Sequence, residues 1–333
     1  MYQTKITGVR HYVPKKVVTN HDLEKLMDTS DEWIQERTGI KERHFCEPHE
    51  KSTAKMGAEA AKVAIERAGI DKKEIDAIVF ATLSSDYFFP GSGVLMQSEL
   101  GLTNIPAIDV RAQCSGFIYG LSIADQFIKT GMYKTILLVG SETQSTALDL
   151  TTRGRNMGVL FGDGAGAAIL QQSEENGKGV LSTHLHADGT HAEVLTIKEP
   201  GTGREKNIYP NMHENIEAIS PQMDGRFVFK NAIKRMPEAV MEALQANNLQ
   251  LSDIDMLLPH QANLRISQMV QKLLRLPNEK IYNNIQKYGN TTAATIPIMM
   301  SELWEQNRIK EGDLYALTAF GSGFTWASAL IRW

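Results

Sequence analysis

The sequence predicts an α/β protein built from two copies of one unit, with parallel sheets covered by helices on both faces. Two internal repeats carry that prediction. Ala239–Leu249 followed by Ser252–Leu258 aligns with Ala60–Ile70 followed by Lys73–Val79 at a constant, gap-free offset of 179 residues. Phe161-Gly-Asp-Gly-Ala-Gly-Ala-Ala-Ile-Leu170 is echoed by Phe320-Gly-Ser-Gly-Phe-Thr-Trp-Ala-Ser-Ala-Leu330, and self-similarity of this kind marks a duplicated βα fold. Short apolar runs such as Ile75–Leu83 also alternate with helical periods. Strands that are apolar on both faces belong in covered parallel sheets.

In chain order, Ile6 and Val9, then Val17 and Val18 after Pro14-Lys-Lys, predict a strand and a turn. Thr19 or Asn20 can cap a short helix ending near Met27, and Asp28-Thr-Ser-Asp opens another that stops at Thr38-Gly39-Ile40. The spacing of Met56, Ala60, Val63, Ala64 and Ala68 predicts a helix over 52–68, closed by Gly69, with the buried strand Ile75–Leu83 after it. Ile105–Val110 reads as a strand, and Phe117, Leu121, Ala124, Phe127 and Ile128 as the face of the next helix. Between the halves, Lys198–Gly225 is rich in Pro, Gly and polar residues. It reads as an irregular excursion, either a lid over a substrate entrance or a solvated connection.

The 333 residues, 42% hydrophobic and 22% charged, suit one large domain or two intimate ones. A net charge of −4 gives no overall attraction for nucleic acid, so any basic contact must be local. Two cysteines, Cys46 and Cys114, cannot make a disulfide framework or a four-cysteine metal site. The opening Met1–Ile6 lacks the apolar stretch of a signal peptide, and no run of ~18 apolar residues suggests a membrane span. A cytoplasmic protein is expected.

Cys114 falls at a strand-to-helix junction, where the positive end of the helix dipole favours thiolate, the nucleophilic form. The alternative is one more small buried apolar residue, which is what most free cysteines are. His260, in Pro259-His-Gln-Ala-Asn263, follows a buried strand at the end where open α/β sheets build their sites; a hydrogen-bonded structural histidine is the alternative. Asn290 sits in Tyr288-Gly-Asn-Thr-Thr292, where an ordinary helix cap also fits. Ala319-Phe-Gly-Ser-Gly-Phe324 is a glycine-rich turn able to present N–H groups to an oxyanion, and it lacks the Gly-Lys-Ser/Thr of a phosphate loop. All four fall where strands end in the duplicated fold.

Almost end to end, the chain resembles the β-ketoacyl-acyl-carrier-protein synthase III family of the thiolase superfamily. The likeness runs through Asp28-Thr-Ser-Asp-Glu-Trp-Ile34, Arg37-Thr-Gly-Ile40, the Cys114 turn, Arg153-Gly154, Phe161–Ala168, His184–Gly189, Pro259–Arg265, Gly289–Thr292 and the Phe320 loop. It implies a thiolase-like five-layered αβαβα fold, with residues 1–175 as the half carrying the cysteine and 176–333 as the half carrying the histidine and asparagine. Cys114, His260 and Asn290 would be the catalytic triad, and the N–H groups of Cys114 and Gly323 the oxyanion hole. Trp33, Arg37, Arg153 and Asn263 would contact coenzyme A, and Phe89 and Phe320 the acyl group. Gln261, Ala262, Asn263, Leu264, Arg265 and Lys230 would dock the acyl-carrier protein. The resemblance further implies a homodimer, and acyl-CoA and a phosphopantetheine arm as substrates without metal or redox cofactor.

The implied reaction is a decarboxylating Claisen condensation of an acyl-CoA starter with malonyl-acyl-carrier protein. Gln113 and Ser115 beside the cysteine, Ser322 in place of a common glycine, and a longer stretch over 193–225 depart from the family pattern. They leave a specialised ketosynthase with an unusual starter as the alternative. A thiolase would need a second cysteine after Cys114, an elongating ketosynthase a second catalytic histidine, and a papain-like hydrolase a different surrounding of Cys114. A non-catalytic acyl-binding protein would require an unreactive Cys114.

Overall fold

The computed structural model describes residues 2–50, 52–201 and 215–333. Its first sheet has five strands in the spatial order Gln3–Tyr12, Gly164–Ser173, Thr135–Glu142, Ala77–Ala81, Ala107–Val110. The second runs Gly179–Ala187, Thr325–Arg332, Leu314–Gly321, Met256–Pro259. A parallel bridge between Leu257 and Ile281 stands where its fifth strand would lie. Strand directions match between the sheets: the first two pairings are antiparallel and the rest parallel. The register repeats too, since Ile78 faces Leu137 while Leu257 faces Ala316, both partners displaced by the same 179 residues.

Uniformly parallel sheets were the expectation, and the antiparallel pairings correct it. Leu314–Gly321 turns straight back through 322–324 into Thr325–Arg332, and a return without a crossover helix pairs antiparallel.

Thr53–Ala68 covers the outer face of the first sheet and Gly225–Ala246 the outer face of the second, while Gly116–Lys129 and Thr295–Glu305 fill the space between. Five layers result. The central cluster joins Phe117, Ile118 and Leu121 to Ile296, Met299 and Met300, with Val79, Leu138, Leu258 and Leu317 from the two sheets. Every residue from Thr295 to Leu303 is buried, because this helix has sheet on both sides rather than solvent on one. Pro297 is tolerated there because it lies in the first turn, where no intrahelical N–H bond is due. Truncating such a central residue to alanine costs roughly 2–5 kcal/mol.

The strand over 75–83 and the helix over 52–68 are found as expected, with small shifts at the ends, Ser52 being the cap rather than the first residue of the helix. Of the excursion over 198–225, residues 202–214 lie outside the described part. Its described ends form the short pair Leu195–Thr196 with Gln222–Met223 and the turn of helix Ile216–Ile219.

Candidate active site

Cys114 follows the strand Ala107–Val110 in a single tight turn, Gln113–Ser115, that leads into the helix Gly116–Lys129. Gln113 has φ +45°, a left-handed conformation that costs a side-chain-bearing residue on the order of 1 kcal/mol. The turn is fastened to the other half. Ser115 Oγ donates to the Thr325 carbonyl at 3.2 Å, and Thr325 Oγ1 donates to the Ala112 carbonyl at 3.2 Å. Gly321 lies against the cysteine: a Cβ there would sit 3.0 Å from Cys114 N and 3.1 Å from its Cβ, so a side chain would push the turn aside.

Burial pushes the Cys114 thiol up to about 12, and the buried Glu142 carboxylate adds to the effect. The resting residue is a neutral thiol. This corrects the expected thiolate, because a helix N-terminus is worth about 0.3–1 kcal/mol to a charge, and loss of water beside a second negative group outweighs it. Glu142 is itself fully buried and held by the hydroxyls of Thr82 (3.1 Å) and Ser84 (2.5 Å), the Ser84 N–H (3.1 Å) and Gln144 Nε2 (3.3 Å). Burial raises its pKa, and these donors oppose the rise.

His260 follows Met256–Pro259, and its N–H donates to the Thr318 carbonyl at 2.8 Å. Burial lowers the imidazole pKa to about 3, so the ring is neutral. Its Nδ1 meets Thr295 Oγ1 at 2.7 Å, whereas Nε2 is buried with no partner. Asn290 is oriented by its own turn: Oδ1 accepts the Thr292 N–H at 2.8 Å, which leaves the Nδ2 end for a ligand. That turn rests on the strand Thr135–Glu142. A Cβ on Gly140 would come within 2.5 Å of the Ala293 carbonyl oxygen, so glycine is what lets Asn290 approach the first half.

Cys114, His260 and Asn290 share one cleft of about 1970 Å³, which Phe320, Gly321 and Ser322 also line. Gly323 is absent from that wall; a Cβ on it would meet Thr325, and its peptide leads to Phe324, whose N–H donates to the Asp188 carbonyl. The loop residues presented to Cys114 are therefore Gly321 and Ser322 rather than Gly323. Trp33, Arg37, Arg153, Ala262, Asn263 and Arg265 line the outer cleft. The Arg37 guanidinium lies 4.6 Å from the Trp33 ring centre, and that of Arg155, which the sequence reading missed, lies 5.2 Å away. Arg153 Nε donates to Asp149 at 2.7 Å. The Asn263 amide is engaged at both ends, donating to the Arg37 carbonyl at 2.9 Å and accepting the Arg265 N–H at 2.9 Å.

Four expected site residues lie elsewhere. Gln261 is buried, its amide bonded to the Pro259 carbonyl and accepting the N–H groups of Asn284 and Ile285, so it braces the second half from within. Lys230 is exposed on Gly225–Ala246, off the cleft wall. Phe89 is 81% exposed and also off the wall, which Tyr87 and Phe88 reach instead. Leu264 packs against the turn at Gly39. Glu142, Thr295 and Arg155 escaped the sequence reading, although Glu142 ends a buried strand as His260 follows one, a signal that was available. Among the described residues no group of three or more His, Cys, Asp or Glu side chains could hold a metal ion.

A cysteine set this way, at the seam between two duplicated mixed sheets, is the arrangement of a thiolase-fold, acyl-transferring enzyme. The model of the 3-oxoacyl-[acyl-carrier-protein (ACP)] synthase III family matches residues 108–189, and that of the family's C-terminal region matches residues 244–333. The beta-ketoacyl-[acyl-carrier-protein] synthase III of Escherichia coli (strain K12) is 47% identical over 329 residues, covering 99% of each chain. The crystal structure of 3-oxoacyl-[acyl-carrier-protein] synthase III from Aquifex aeolicus VF5 superimposes with a TM-score of 0.90 at 41% identity, covering 99% of this chain and 100% of that one. The priming beta-ketosynthase from the R1128 polyketide biosynthetic pathway gives 0.89 at 31% identity, over 99% and 96%. The chain belongs to the 3-oxoacyl-acyl-carrier-protein synthase III family, condensing enzymes of fatty acid biosynthesis.

Proposed function

We propose that this chain initiates fatty acid synthesis by condensing an acyl-CoA starter with malonyl-acyl-carrier protein, using Cys114, His260 and Asn290. The observation that carries this reading is their convergence on one cleft that Trp33 and Arg37 also line, the Arg37 guanidinium stacked on the Trp33 ring. Cys114 attacks the starter thioester, N–H groups of Cys114 and of the Gly321–Ser322 loop hold the oxyanion, and coenzyme A leaves. Malonyl-acyl-carrier protein then enters. His260 Nε2–H and the Asn290 amide donate to its thioester carbonyl and stabilise the enolate as carbon dioxide departs. The carbanion attacks the Cys114 thioester and releases the 3-oxoacyl product. Decarboxylation supplies the carbanion itself, so the scheme calls on no redox cofactor.

Trp33, Arg37, Arg153 and Arg155 take the nucleotide end of coenzyme A, and Asn263 borders the pantetheine path. Arg265, beside Ala262 and Leu264, and Lys230 on Gly225–Ala246 offer the acidic carrier protein local positive charge on a net-negative chain. The halves 1–175 and 176–333 act as one functional unit. A homodimer would give exposed Phe89 a place in the partner's acyl pocket, and the cytoplasm is the compartment in which the enzyme works.

A specialised ketosynthase with an unusual starter is the second reading. Ser322 favours it, because its hydroxyl ties the loop beside Cys114 to the carbonyl of Leu195 on the cleft wall. Intact-protein mass spectrometry after incubation with acyl-CoAs from acetyl to long-chain, with Cys114→Ser as control, separates the two. Acylation by acetyl or short branched starters supports initiation. Labelling by longer or unusual groups alone supports the specialised reading, and no labelling overturns both.

A further inference from the structure

Two thioesters visit one cleft in the reaction proposed above, and only the starter should acylate Cys114. Starter and malonyl group arrive on the same phosphopantetheine arm, but only coenzyme A carries a nucleotide at its far end. Binding energy far from the reacting atoms raises a rate only where the protein delivers it to the reacting centre. A link from the nucleotide wall to the oxyanion loop would therefore tell the two thioesters apart.

Ser322 makes such a link. On the catalytic side its neighbour Gly321 lies against Cys114, and its own carbonyl oxygen stands 3.3 Å from Thr325 Oγ1, the hydroxyl that also meets the Ala112 carbonyl at 3.2 Å. Its hydroxyl donates to the carbonyl of Leu195, which lines the cleft with it. Glycine, common at this position in the family, has no group to make that bond. Leu195 pairs with Met223 in the short ribbon Leu195–Thr196 with Gln222–Met223. Both side chains pack on an apolar cluster that includes Met27, Ile34, Met157 and Leu160, and Trp33 packs on the same cluster. Ile34, Trp33 and Arg37 belong to one helix, Asp31–Thr38. Close-packed groups shift together, because a gap forfeits contact. The helix proposed to hold the nucleotide and the loop proposed to hold the oxyanion are thus joined through packed side chains and the Ser322 hydroxyl.

We propose that Ser322 is a positioning residue that couples the nucleotide wall to the oxyanion loop, so that an acyl group delivered on coenzyme A reaches Cys114 faster than the same group on a thiol without the nucleotide. This rests on an acyl-CoA starter, which both readings above share. A brace that merely stiffened the loop would serve every thioester alike. A link through Leu195 serves only those that engage the helix Asp31–Thr38. The coupling acts in the acylation step, since the malonyl thioester on its carrier protein has no nucleotide to engage that helix.

Rapid-quench acylation of Cys114 under saturating thioester tests this, using the acyl group that wild type takes from coenzyme A and the same group on free phosphopantetheine. The readout is the ratio of the two maximal rates in wild type, Ser322→Ala, Ser322→Gly and Ser322→Thr. Wild type should favour the coenzyme A thioester by about 10-fold, the upper worth of one neutral hydrogen bond. The two rates should become equal in Ser322→Ala and Ser322→Gly, and Ser322→Thr, which keeps the hydroxyl, should retain the wild-type ratio. Equal rates in wild type overturn the proposal even if every variant misfolds. A wild-type ratio kept in Ser322→Ala or Ser322→Gly, with both thioesters slowed alike, overturns it too and leaves Ser322 a plain brace. Neither result touches the condensing reading, which falls, and the coupling with it, only if wild type is not acylated by acyl-CoA at all.

Discussion

His260 stands in the second half where Ala81 stands in the first, and Gly321 where Glu142 stands, at the same 179-residue offset that relates the paired strands. Cys114 and Asn290 form a looser pair. Each precedes the central helix of its half, beside a residue with positive φ, Gln113 in one and Thr292 in the other. The duplicated scaffold therefore delivers the same positions twice, and the side chains at those positions divide the work. The first half presents a thiol beside a buried carboxylate; the second presents a neutral imidazole and an amide. Two glycines, Gly321 and Gly140, let each half press its groups onto the other's.

Cys114→Ser should abolish the acyl-enzyme by mass and lower condensation at least ~10³-fold; a serine enzyme that still condenses would remove the first half's role. Next come the two glycines. Gly140→Ala drives a methyl to 2.5 Å from the Ala293 carbonyl and should cost ~10²-fold in malonyl decarboxylation, with acylation changed only a few-fold. Gly321→Ala, at 3.0 Å from Cys114 N, should instead cost ~10-fold in acylation. Equal losses of both steps in both variants would erase the division.

A smaller effect concerns the thiol. With Cys114 held up at about 12, its alkylation by iodoacetamide in the ligand-free enzyme should keep accelerating through pH 9 to ~10; a plateau near neutrality would show a resting thiolate. The smallest lies at the seam. His11, on the first sheet, has its N–H and Nδ1 on Ser301 Oγ of the second half at 3.1 and 2.8 Å, and burial lowers its pKa to about 4. The unfolded chain takes up this proton near pH 6.5 and the folded chain only near 4, so the contribution is complete above 6.5 and is lost as pH falls toward 4. The ceiling is about 3 kcal/mol. Thermal melts of wild type and His11→Gln should converge across that window, and parallel curves would count against it.

The repeat made the duplication legible, because a gap-free offset in sequence became an identical strand register. Cys114, His260 and Asn290 were legible as strand-end residues. What escaped depends on contacts that sequence position does not encode. Thr295 reads as one residue of a buried helix until its hydroxyl is seen between Nδ1 and a carbonyl. Gln261, adjacent to His260, points inward because the N–H groups of Asn284 and Ile285 need an acceptor. The thiolate expectation failed because a local helix end was weighed without the burial that only packing reveals.

The most direct measurement is a single-turnover experiment on Asn290→Ala, following acyl-enzyme by mass and carbon dioxide release from malonyl-acyl-carrier protein in the same sample. A division of labour between the halves predicts normal acylation of Cys114 with decarboxylation lost. Rapid carbon dioxide release from the fully acylated variant would contradict it.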